Sequence, residues 1–480
     1  MIKNKNLDYS VILLILFILL YVIFFSILSI NRHQRFNSLA YDLGIYDQKV
    51  WLLANGGTFN TVRGLHIFGD HLTFILVFLA PLYWIWSDVR FILIFQTLIL
   101  ALGAIPTHLL AKKLFSNKFI PLIFVFSYLI YPALHFINLE DFHPESIAVP
   151  FFLFSFYFLK TNKTKPFLIS TLFMLLIKEE LALIVIAFGI YSFLATRNKK
   201  SGLFLILSGL TWLILATYVF FPNFVPEGYL YKGYLFGEYG ETPKAAINKI
   251  ANTDIIEKKL YTKENLIYTI KVFTPVLFIP IFVPSLFIFG IIFLINILIS
   301  WSYAHSIEYH YIALVIPFIF ISTVYGLSKI KNKNILKFCL SLLVISSITS
   351  NIFFAPEYSN IKNFKSTTQL IKNFNIKNSE EVKIQNMINI IPKNASISAS
   401  YIYVPHLSHR KLIFNYPNPF RSHYWGNYKD EPPKILVDYI LILKSDYEQD
   451  NYIKELVKNK IYNVFLESNS SILLKKNIPN

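Results

Sequence analysis

The sequence has very little cysteine and little charge. Cys339 is the single cysteine among 480 residues, so no intrachain disulfide can form. Charged residues make up 15% of the chain, whereas soluble domains average about 25%. Hydrophobic residues make up 55%, and Phe (46) and Tyr (30) are especially abundant. Many apolar runs approach the ~20 residues that a membrane-spanning helix needs. The composition excludes a soluble globular protein and indicates a polytopic α-helical membrane protein.

The net charge of +17 does not indicate a nucleic-acid partner. Lys and Arg are concentrated in short loops between apolar runs, such as RNKK (197–200) and KIKNKNILK (329–337). Such loops follow the positive-inside rule and attract anionic lipid headgroups. We therefore predict that the partner is a lipid bilayer and not a nucleic acid.

The basic flanks predict how the chain crosses the plasma membrane. Lys3 and Lys5 put the N-terminus in the cytoplasm, and the first apolar run is too long for the core of a cleaved signal peptide. A shorter run at 72–86, interrupted by Pro81, is predicted to be juxtamembrane or re-entrant. About 11 transmembrane helices are predicted, at 9–30, 91–111, 119–138, 147–160, 166–177, 181–195, 202–221, 266–283, 286–300, 308–327 and 338–355, with a polar loop at 222–265.

The tail after the last span differs in composition and is predicted to be extracytoplasmic. It is rich in Asn, Lys and Ser, and alternating stretches at 396–404, 437–443 and 463–476 accompany a helical pattern at 379–391. Strands combined with helices indicate a small α/β domain. The predicted fold is thus an all-α polytopic membrane domain (1–356) followed by an extracytoplasmic α/β domain (357–480). We expect His406, His409 and Arg410 of that tail to lie on a helix surface.

The predicted topology brings ionisable residues from five segments to the outer face of the membrane. Ionisable groups at membrane depth are unfavourable by at least ~2.5–3.5 kcal/mol each, so they tend to be paired or functional. These residues are Asp42 and Asp47, Asp70 and His71, Glu140, Asp141 and His143, Lys178, Glu179 and Glu180, and Glu308 and His310.

The stretch EDFHP (140–144) has the residue types of a divalent-cation site. Asp141 and His143 offer a carboxylate oxygen and an imidazole nitrogen, with Glu140 as an extra acid. An oxygen-rich set with one histidine suits Mg²⁺ or Mn²⁺. The alternative is that the two acids cap the helix predicted at 147–160.

Other candidates also have two interpretations. Lys178 either binds a phosphate as a point charge or extends from a helix surface to the headgroups. Asp42 or Asp47 either acts as a general base toward a hydroxyl, joins the metal shell, or is a loop or capping carboxylate. The remaining pairs begin predicted helices, where capping is the alternative to a site role: Asp70 with His71, and Glu308 with His310.

Several long stretches resemble the DUF2079 family of polytopic membrane proteins. They are YDLGIYDQKVW (41–51), GDHLTFILVFLAPLYW (69–84), LEDFHPESIAVP (139–150), LLIKEELALIVIAFGIY (175–191), SISASYIYVPHLSHRK (396–411) and VDYILI (437–442). The architecture is also similar to the GT-C superfamily of lipid-linked-sugar glycosyltransferases, which have a catalytic Asp in the first outer loop.

The GT-C resemblance implies roles for individual residues. Asp42 resembles the first-loop Asp, and Asp141 with His143 resembles an Asp-x-Asp-like metal element, although many relatives have Asp where this chain has His. Lys178 resembles the basic group near the lipid phosphate, with Arg63 as a second cation. The resemblance implies a glycosyltransferase that takes a sugar from a polyprenyl-phosphate donor to an unidentified acceptor at the outer face.

Two other functions are compatible with the same sequence. Intramembrane charges also mark the pathways of transporters and flippases for lipids or anionic solutes, although the sequence lacks the inverted repeat that many of these contain. The membrane part would otherwise be an anchor that presents the outer domain (357–480) to partners.

Overall fold

The protein is described by a computed structural model that covers residues 9–225, 249, 253–356, 378–421 and 435–477. Most of the predicted polar loop at 222–265 and the start of the predicted outer domain therefore lie outside the described residues. The described helices of eight or more residues are Tyr9–Gln34, Ile45–Ala54, Leu76–Tyr83, Val89–Leu102, Ala104–Leu114, Ile120–Leu129, Pro132–Leu139, Glu145–Lys160, Thr164–Phe173, Leu181–Ala195, Lys199–Leu215, Thr253–Leu260, Lys263–Phe273, Ile291–Leu298, Ile316–Ser328, Lys333–Phe354, Ser379–Ile390 and Asn451–Lys458.

Long apolar helices form the body of the molecule, as the composition predicts. Among the described residues, five helices are long and apolar enough to cross a bilayer, and a sixth span results if a pair bent by 44° counts as one. Each of the 11 predicted runs is at least partly helical, but the number that cross the membrane stays a prediction. The five helices are Tyr9–Gln34, Val89–Leu114, Lys199–Phe224, His310–Ser328 and Lys333–Phe354, and the bent pair is Ile120–Leu129 with Pro132–Leu139.

The run predicted to be juxtamembrane forms only a short helix, Leu76–Tyr83. Eight residues rise about 12 Å, which is far less than the ~30 Å of a hydrocarbon core. The helix is followed by three exposed apolar residues, Trp84, Ile85 and Trp86. Tryptophan is enriched where a membrane meets water, so this segment suits the membrane surface.

The described part of the tail is a small α/β domain, as its alternating stretches indicate. Its sheet has five strands, of which the first three are parallel and the last two antiparallel to their neighbours. A helix at Ser379–Ile390 matches the predicted one. In spatial order the strands are Ile413–Asn415, Ile397–Ala399, Tyr439–Leu443, Ser471–Lys476 and Tyr462–Glu467; the first of these was not predicted.

The loop after the first membrane helix packs directly on this C-terminal domain. Phe36, Ala40 and Ile45 share one hydrophobic cluster with the helix Ser379–Ile390 and the parallel strands. The amide of Ala40 also donates to the carbonyl of Tyr401 at 2.8 Å. The domain therefore acts as a platform that shapes this loop.

The expectation of a helix surface for the three basic residues of the tail is wrong. Residues 404–406 form one 3₁₀ turn, and the chain that follows is not helical. Arg410 is buried and donates to the carbonyls of Leu407 and Ala395 at 2.8 and 3.1 Å. His409 faces the helix Ile45–Ala54, where its Nε2 lies 3.0 Å from Oδ2 of Asp47. These side chains fasten the domain instead of facing solvent.

Candidate active site

Asp42 lies in a backbone conformation that only tertiary packing can hold. Its φ is +79° within the turn Ala40–Gly44, and non-glycine residues in such regions store about 1–3 kcal/mol of strain. The C-terminal domain fixes this turn, because a Cβ on Gly44 would lie only 2.9 Å from Cγ1 of Val404. The strained turn leaves 37% of the Asp42 side chain accessible.

Gln96 and Asp141 shape a second loop, between the helices that end at Leu139 and begin at Glu145. The Gln96 side chain donates to the carbonyl of Asp141 at 2.6 Å and accepts the amide of His143 at 2.8 Å. Asp141 has a φ of +110°, and its carboxylate binds the Arg32 guanidinium and accepts the Leu39 amide at 3.0 Å. Asp141 therefore ties this loop to the one that follows the helix Tyr9–Gln34.

Four side chains from three separate parts of the chain meet beside these loops. One ligand atom from each of Asp42, Glu140, His143 and His310 lies within 4.8 Å of the others; we call this group the acid–histidine cluster. Nδ1 of His143 lies 3.8 Å from Oδ1 of Asp42, and its Nε2 lies 3.5 Å from Oε2 of Glu140. The rings of His143 and His310 are stacked, with centroids 3.9 Å apart.

Burial shifts the pKa values of three residues of the cluster toward the neutral form. Burial raises the pKa of Asp42 to about 7. Burial also raises the pKa of Glu140 well above its ordinary value, and the carboxylate of Asp141 adds to this rise. Burial and the adjacent ring of His310 hold the pKa of His143 well below its ordinary value. A neutral imidazole is the form that binds metals.

The cluster fits a divalent cation. Oε2 of Glu140, Nε2 of His143 and Nδ1 of His310 are buried and have no hydrogen-bond partner among the described residues. Buried polar atoms are nearly always paired, so three unpaired acceptors that face one another are unusual. Two imidazoles and two carboxylates form a mixed donor set, which suits Mn²⁺ or Zn²⁺ better than Mg²⁺.

The structure brings together only some of the residues that the sequence nominated for metal binding. Glu140 and His143 join the cluster, and Asp141 faces Arg32 instead. The capping alternative is wrong, because the helix that follows begins at Glu145 after Pro144 without a side-chain cap. Glu140 instead follows the end of the preceding helix, Pro132–Leu139.

Lys178 does not lie on a helix surface, and its ammonium is paired with carboxylates. Its side chain is 4% accessible, and Nζ lies 2.5 Å from Oε1 of Glu145 and 3.6 Å from Oε1 of Glu180. Oε1 of Glu145 also lies 3.9 Å from Nε2 of His310. The Lys178 ion pair thus borders the acid–histidine cluster, and its positive charge is offset by two carboxylates.

A second group of cations is buried nearby on the first loop. Nε of Arg63 lies 3.1 Å from Oδ1 of Asp70, and Nζ of Lys49 lies 3.8 Å from Oδ2 of the same carboxylate. Lys49 is fully buried, and its ammonium has no hydrogen-bond partner among the described residues. Burial lowers the pKa of Lys49 to about 8, against the opposing effect of Asp70. Two buried cations therefore share one ion-paired carboxylate.

The remaining candidates lie in separate contacts. His71 pairs with Glu179 at 2.8 Å, and neither His71 nor Asp70 caps the following helix, which begins at Leu76 after Ile75. Oε1 of Glu308 lies 3.4 Å from Nζ of Lys271. Asp47 is fully buried outside the cluster. It accepts hydrogen bonds from Tyr83 at 2.6 Å and from Ser408 of the C-terminal domain.

Three residues that build the site were not predicted from the sequence: Arg32, Lys49 and Gln96. Each is a long polar side chain within or beside an apolar helix. This position in the sequence could have identified them as site residues, because a polar group at membrane depth needs a partner. The identity of each partner depends on contacts that span up to 109 residues along the chain.

The overall fold matches solved structures at low sequence identity. The chain is similar to ArnT from Cupriavidus metallidurans bound to undecaprenyl phosphate, with a TM-score of 0.55, 12% identity and 98% of each chain covered. The apo state of the same protein gives a TM-score of 0.55 and 11% identity, covering 96% of this chain and 97% of that one. At these identities the likeness shows the fold alone, and it confirms the predicted GT-C-like architecture. No curated protein matches the sequence.

The family resemblance is also confirmed. The model of the family described as "Predicted membrane protein (DUF2079)" matches residues 32–475. This range contains the two loops that Asp141 joins, the acid–histidine cluster and nearly all of the described C-terminal domain. The chain belongs to the DUF2079 family, and it is a membrane protein.

Proposed function

We propose that this DUF2079 protein is a glycosyltransferase that moves a sugar from a polyprenyl-phosphate donor to an acceptor at the outer face of the membrane. The observation that carries the proposal is the acid–histidine cluster, in which one accessible carboxylate adjoins three more buried ligand groups. The fold supports the proposal at the level of a GT-C-like architecture. That the similar ArnT structure is bound to undecaprenyl phosphate supports a lipid-phosphate partner.

Asp42 is the proposed general base because its carboxylate is the most accessible of the cluster. In the proposed reaction an acceptor hydroxyl attacks the anomeric carbon of the donor sugar. The bond from that carbon to the phosphate oxygen breaks with inversion, and the lipid phosphate departs. The hydroxyl proton passes to Asp42, which must lie within hydrogen-bond reach of the acceptor. We assign no such role to Asp47, because its two oxygens already bind Tyr83 and Ser408.

Glu140, His143 and His310 are the proposed holders of a divalent cation. Their facing atoms lack hydrogen-bond partners among the described residues. A cation bound there would offset the negative charge of the leaving phosphate. Asp141 supports this arrangement indirectly, since its ion pair with Arg32 joins the two outer loops.

The donor phosphate is proposed to bind Lys49 and Arg63. These cations are 0% and 2% accessible and lie on either side of Asp70. Lys49 is fully buried and its ammonium has no hydrogen-bond partner among the described residues, so an anionic ligand would stabilise its charge. Lys178 is a weaker candidate than its sequence context indicates, because Glu145 and Glu180 already offset its charge.

The test is the profile of lipid-linked sugars and glycans in a strain that lacks the protein. Reintroducing the wild-type chain should restore the missing product, and Asp42→Asn should fail to restore it. Glu308→Gln is the matched control because Glu308 is another outer carboxyl that lies outside the cluster. An identical profile in the deletion strain and the wild type would refute the proposed reaction, and a transporter would then be the better explanation.

The cation is tested separately by titrating Mn²⁺, Zn²⁺ and Mg²⁺ into the purified protein. Glu140→Gln and His143→Gln should each weaken binding by at least the about tenfold that loss of a residue supporting a ligand causes in other metal sites. Glu308→Gln should bind as the wild type does. Equal binding by all four proteins would remove the cation from the mechanism without affecting the role of Asp42.

A further inference from the structure

A cavity lies between the C-terminal domain and the membrane helices. Its volume is about 870 Å³, which is within the ~300–1,000 Å³ of ordinary ligand sites. One wall contains Gln34, the last residue of the first membrane helix, and Val89, the first residue of the next long one. The facing wall contains residues 405–411 of the C-terminal domain. None of the acid–histidine residues lines this cavity, which we call the seam cavity.

The seam cavity is strongly basic. Four Lys or Arg side chains line it, against the single carboxylate of Asp88, and three imidazoles add to its walls. Asp88 is already bound to one of these cations, since its Oδ2 lies 2.6 Å from a guanidinium nitrogen of Arg90. The basic side chains are Arg90, Lys393, Arg410 and Lys411, and the imidazoles are those of His33, His406 and His409.

The position of the seam cavity corresponds to the level of lipid headgroups. It lies at the ends of two helices that are long and apolar enough to cross a bilayer. Ser87 and Asp88 of its wall directly follow Trp84, Ile85 and Trp86, which are 73%, 84% and 40% accessible. Exposed tryptophans next to a spanning helix are typical of the membrane–water interface. A headgroup can therefore reach the cavity while its acyl chains stay in the bilayer.

We propose that the seam cavity binds the phosphate-bearing headgroup of an anionic lipid. Its excess of cations selects an anion, and its place between two membrane helices selects a lipid rather than a free solute. Trp51, Pro405 and Leu407 provide an apolar wall against which a glycerol or sugar ring can pack. This binding does not depend on the proposed sugar transfer, although Trp51 is on the helix that directly follows the Asp42 turn.

The experiment uses the full-length protein in nanodiscs that contain phosphatidylcholine with or without phosphatidylglycerol. Native mass spectrometry measures the retained lipid for the wild type and for the double variant Lys393→Gln/Lys411→Gln. Both lysines are exposed, so the protein should still fold. Each interfacial lysine contributes a factor of about five to anionic-lipid binding, so the double variant should retain phosphatidylglycerol about 25-fold more weakly. The matched control is Lys383→Gln/Lys458→Gln, two exposed lysines of the same domain that lie outside the cavity.

The outcomes separate a lipid from a soluble phosphate. Selective retention of phosphatidylglycerol that the seam variant loses and the control variant keeps supports the proposal. Equal retention of phosphatidylcholine, or equal loss in both double variants, overturns it. Titration with glycerol 1-phosphate is the second arm. Binding of this soluble phosphate at the same lysines, without selective lipid retention, would overturn the lipid source. Because the Asp42 variant should bind the lipid normally, failure of either proposal can be recognised without the other.

Discussion

Replacing Asp47 with asparagine should loosen the C-terminal domain from the membrane helices. The Asp47 carboxylate is fully buried and joins Tyr83 of the membrane part to Ser408 and His409 of the C-terminal domain. The substitution keeps the shape of the side chain and removes its charge. The carboxylate was one of two candidate bases in the sequence YDLGIYDQ, so the substitution also separates a structural role from a catalytic one.

The magnitude follows from the contacts that Asp47 makes. Hydrogen bonds to a charged group contribute about 1.5–3 kcal/mol each. Asparagine has one acceptor oxygen, so it can replace only one of the two bonds from Tyr83 and Ser408, and it removes the ion pair with His409. We expect docking of the C-terminal domain to become less favourable by about 3 kcal/mol. A change of this size increases the undocked population by about a hundredfold.

The assay is thermal unfolding of the purified protein together with limited proteolysis of the C-terminal domain. Asp47→Asn should unfold at a lower temperature and release the domain to protease sooner. Asp42→Asn is the matched control from the same segment. Asparagine tolerates a positive φ nearly as well as aspartate, so this variant should unfold like the wild type and lose only the proposed activity. An Asp47→Asn protein with wild-type stability but no activity would refute the docking role.

Three further results are expected. Lys178→Met should destabilise the protein by about 3–5 kcal/mol, because it leaves Glu145 buried and unpaired. In thermal unfolding, adding Glu145→Gln should recover much of that loss. A single Lys178→Met variant as stable as the wild type would contradict this. Burial lowers the pKa of His409, but the charge of Asp47 outweighs it, so the pKa is raised above 6.5. His409 therefore contributes stability that is fully present below pH 6.5 and is lost as pH rises through the raised pKa. This part of the pH dependence of thermal stability should be absent in His409→Gln. A Cβ on Gly202 would lie 2.6 Å from the backbone nitrogen of Phe193. Gly202→Ala should therefore lower the yield of monodisperse protein in size-exclusion chromatography. The neighbouring substitution Ser201→Ala is the control and should not lower it.

Most of the helical framework could be predicted because its signal is local. Apolar runs at 9–30 and 338–355 correspond to the helices Tyr9–Gln34 and Lys333–Phe354, since length and hydrophobicity determine whether a segment can cross a bilayer. The alternating pattern at 437–443 likewise corresponds to the strand Tyr439–Leu443. The strand Ile413–Asn415 was missed because three residues are too few to show an alternation.

The grouping of the candidate site was less predictable. Glu140 and His143 are close in sequence, and the structure places both beside Asp42. Asp141 lies between them in sequence but faces Arg32, because its positive φ turns the carboxylate toward the first loop. His310, a minor candidate in the sequence, completes the cluster through the stacking of its ring on His143.

The sequence by itself determined that this is a helical membrane protein with a small α/β tail, and that ionisable groups are concentrated in a few connecting segments. These properties depend on composition and on short-range periodicity. Only the tertiary structure decided which charges meet: Asp42 with His143 and His310, and Asp47 with the C-terminal domain. Those pairings join residues far apart in the chain. They depend on loop conformations that tertiary packing holds in place and that no local sequence pattern specifies.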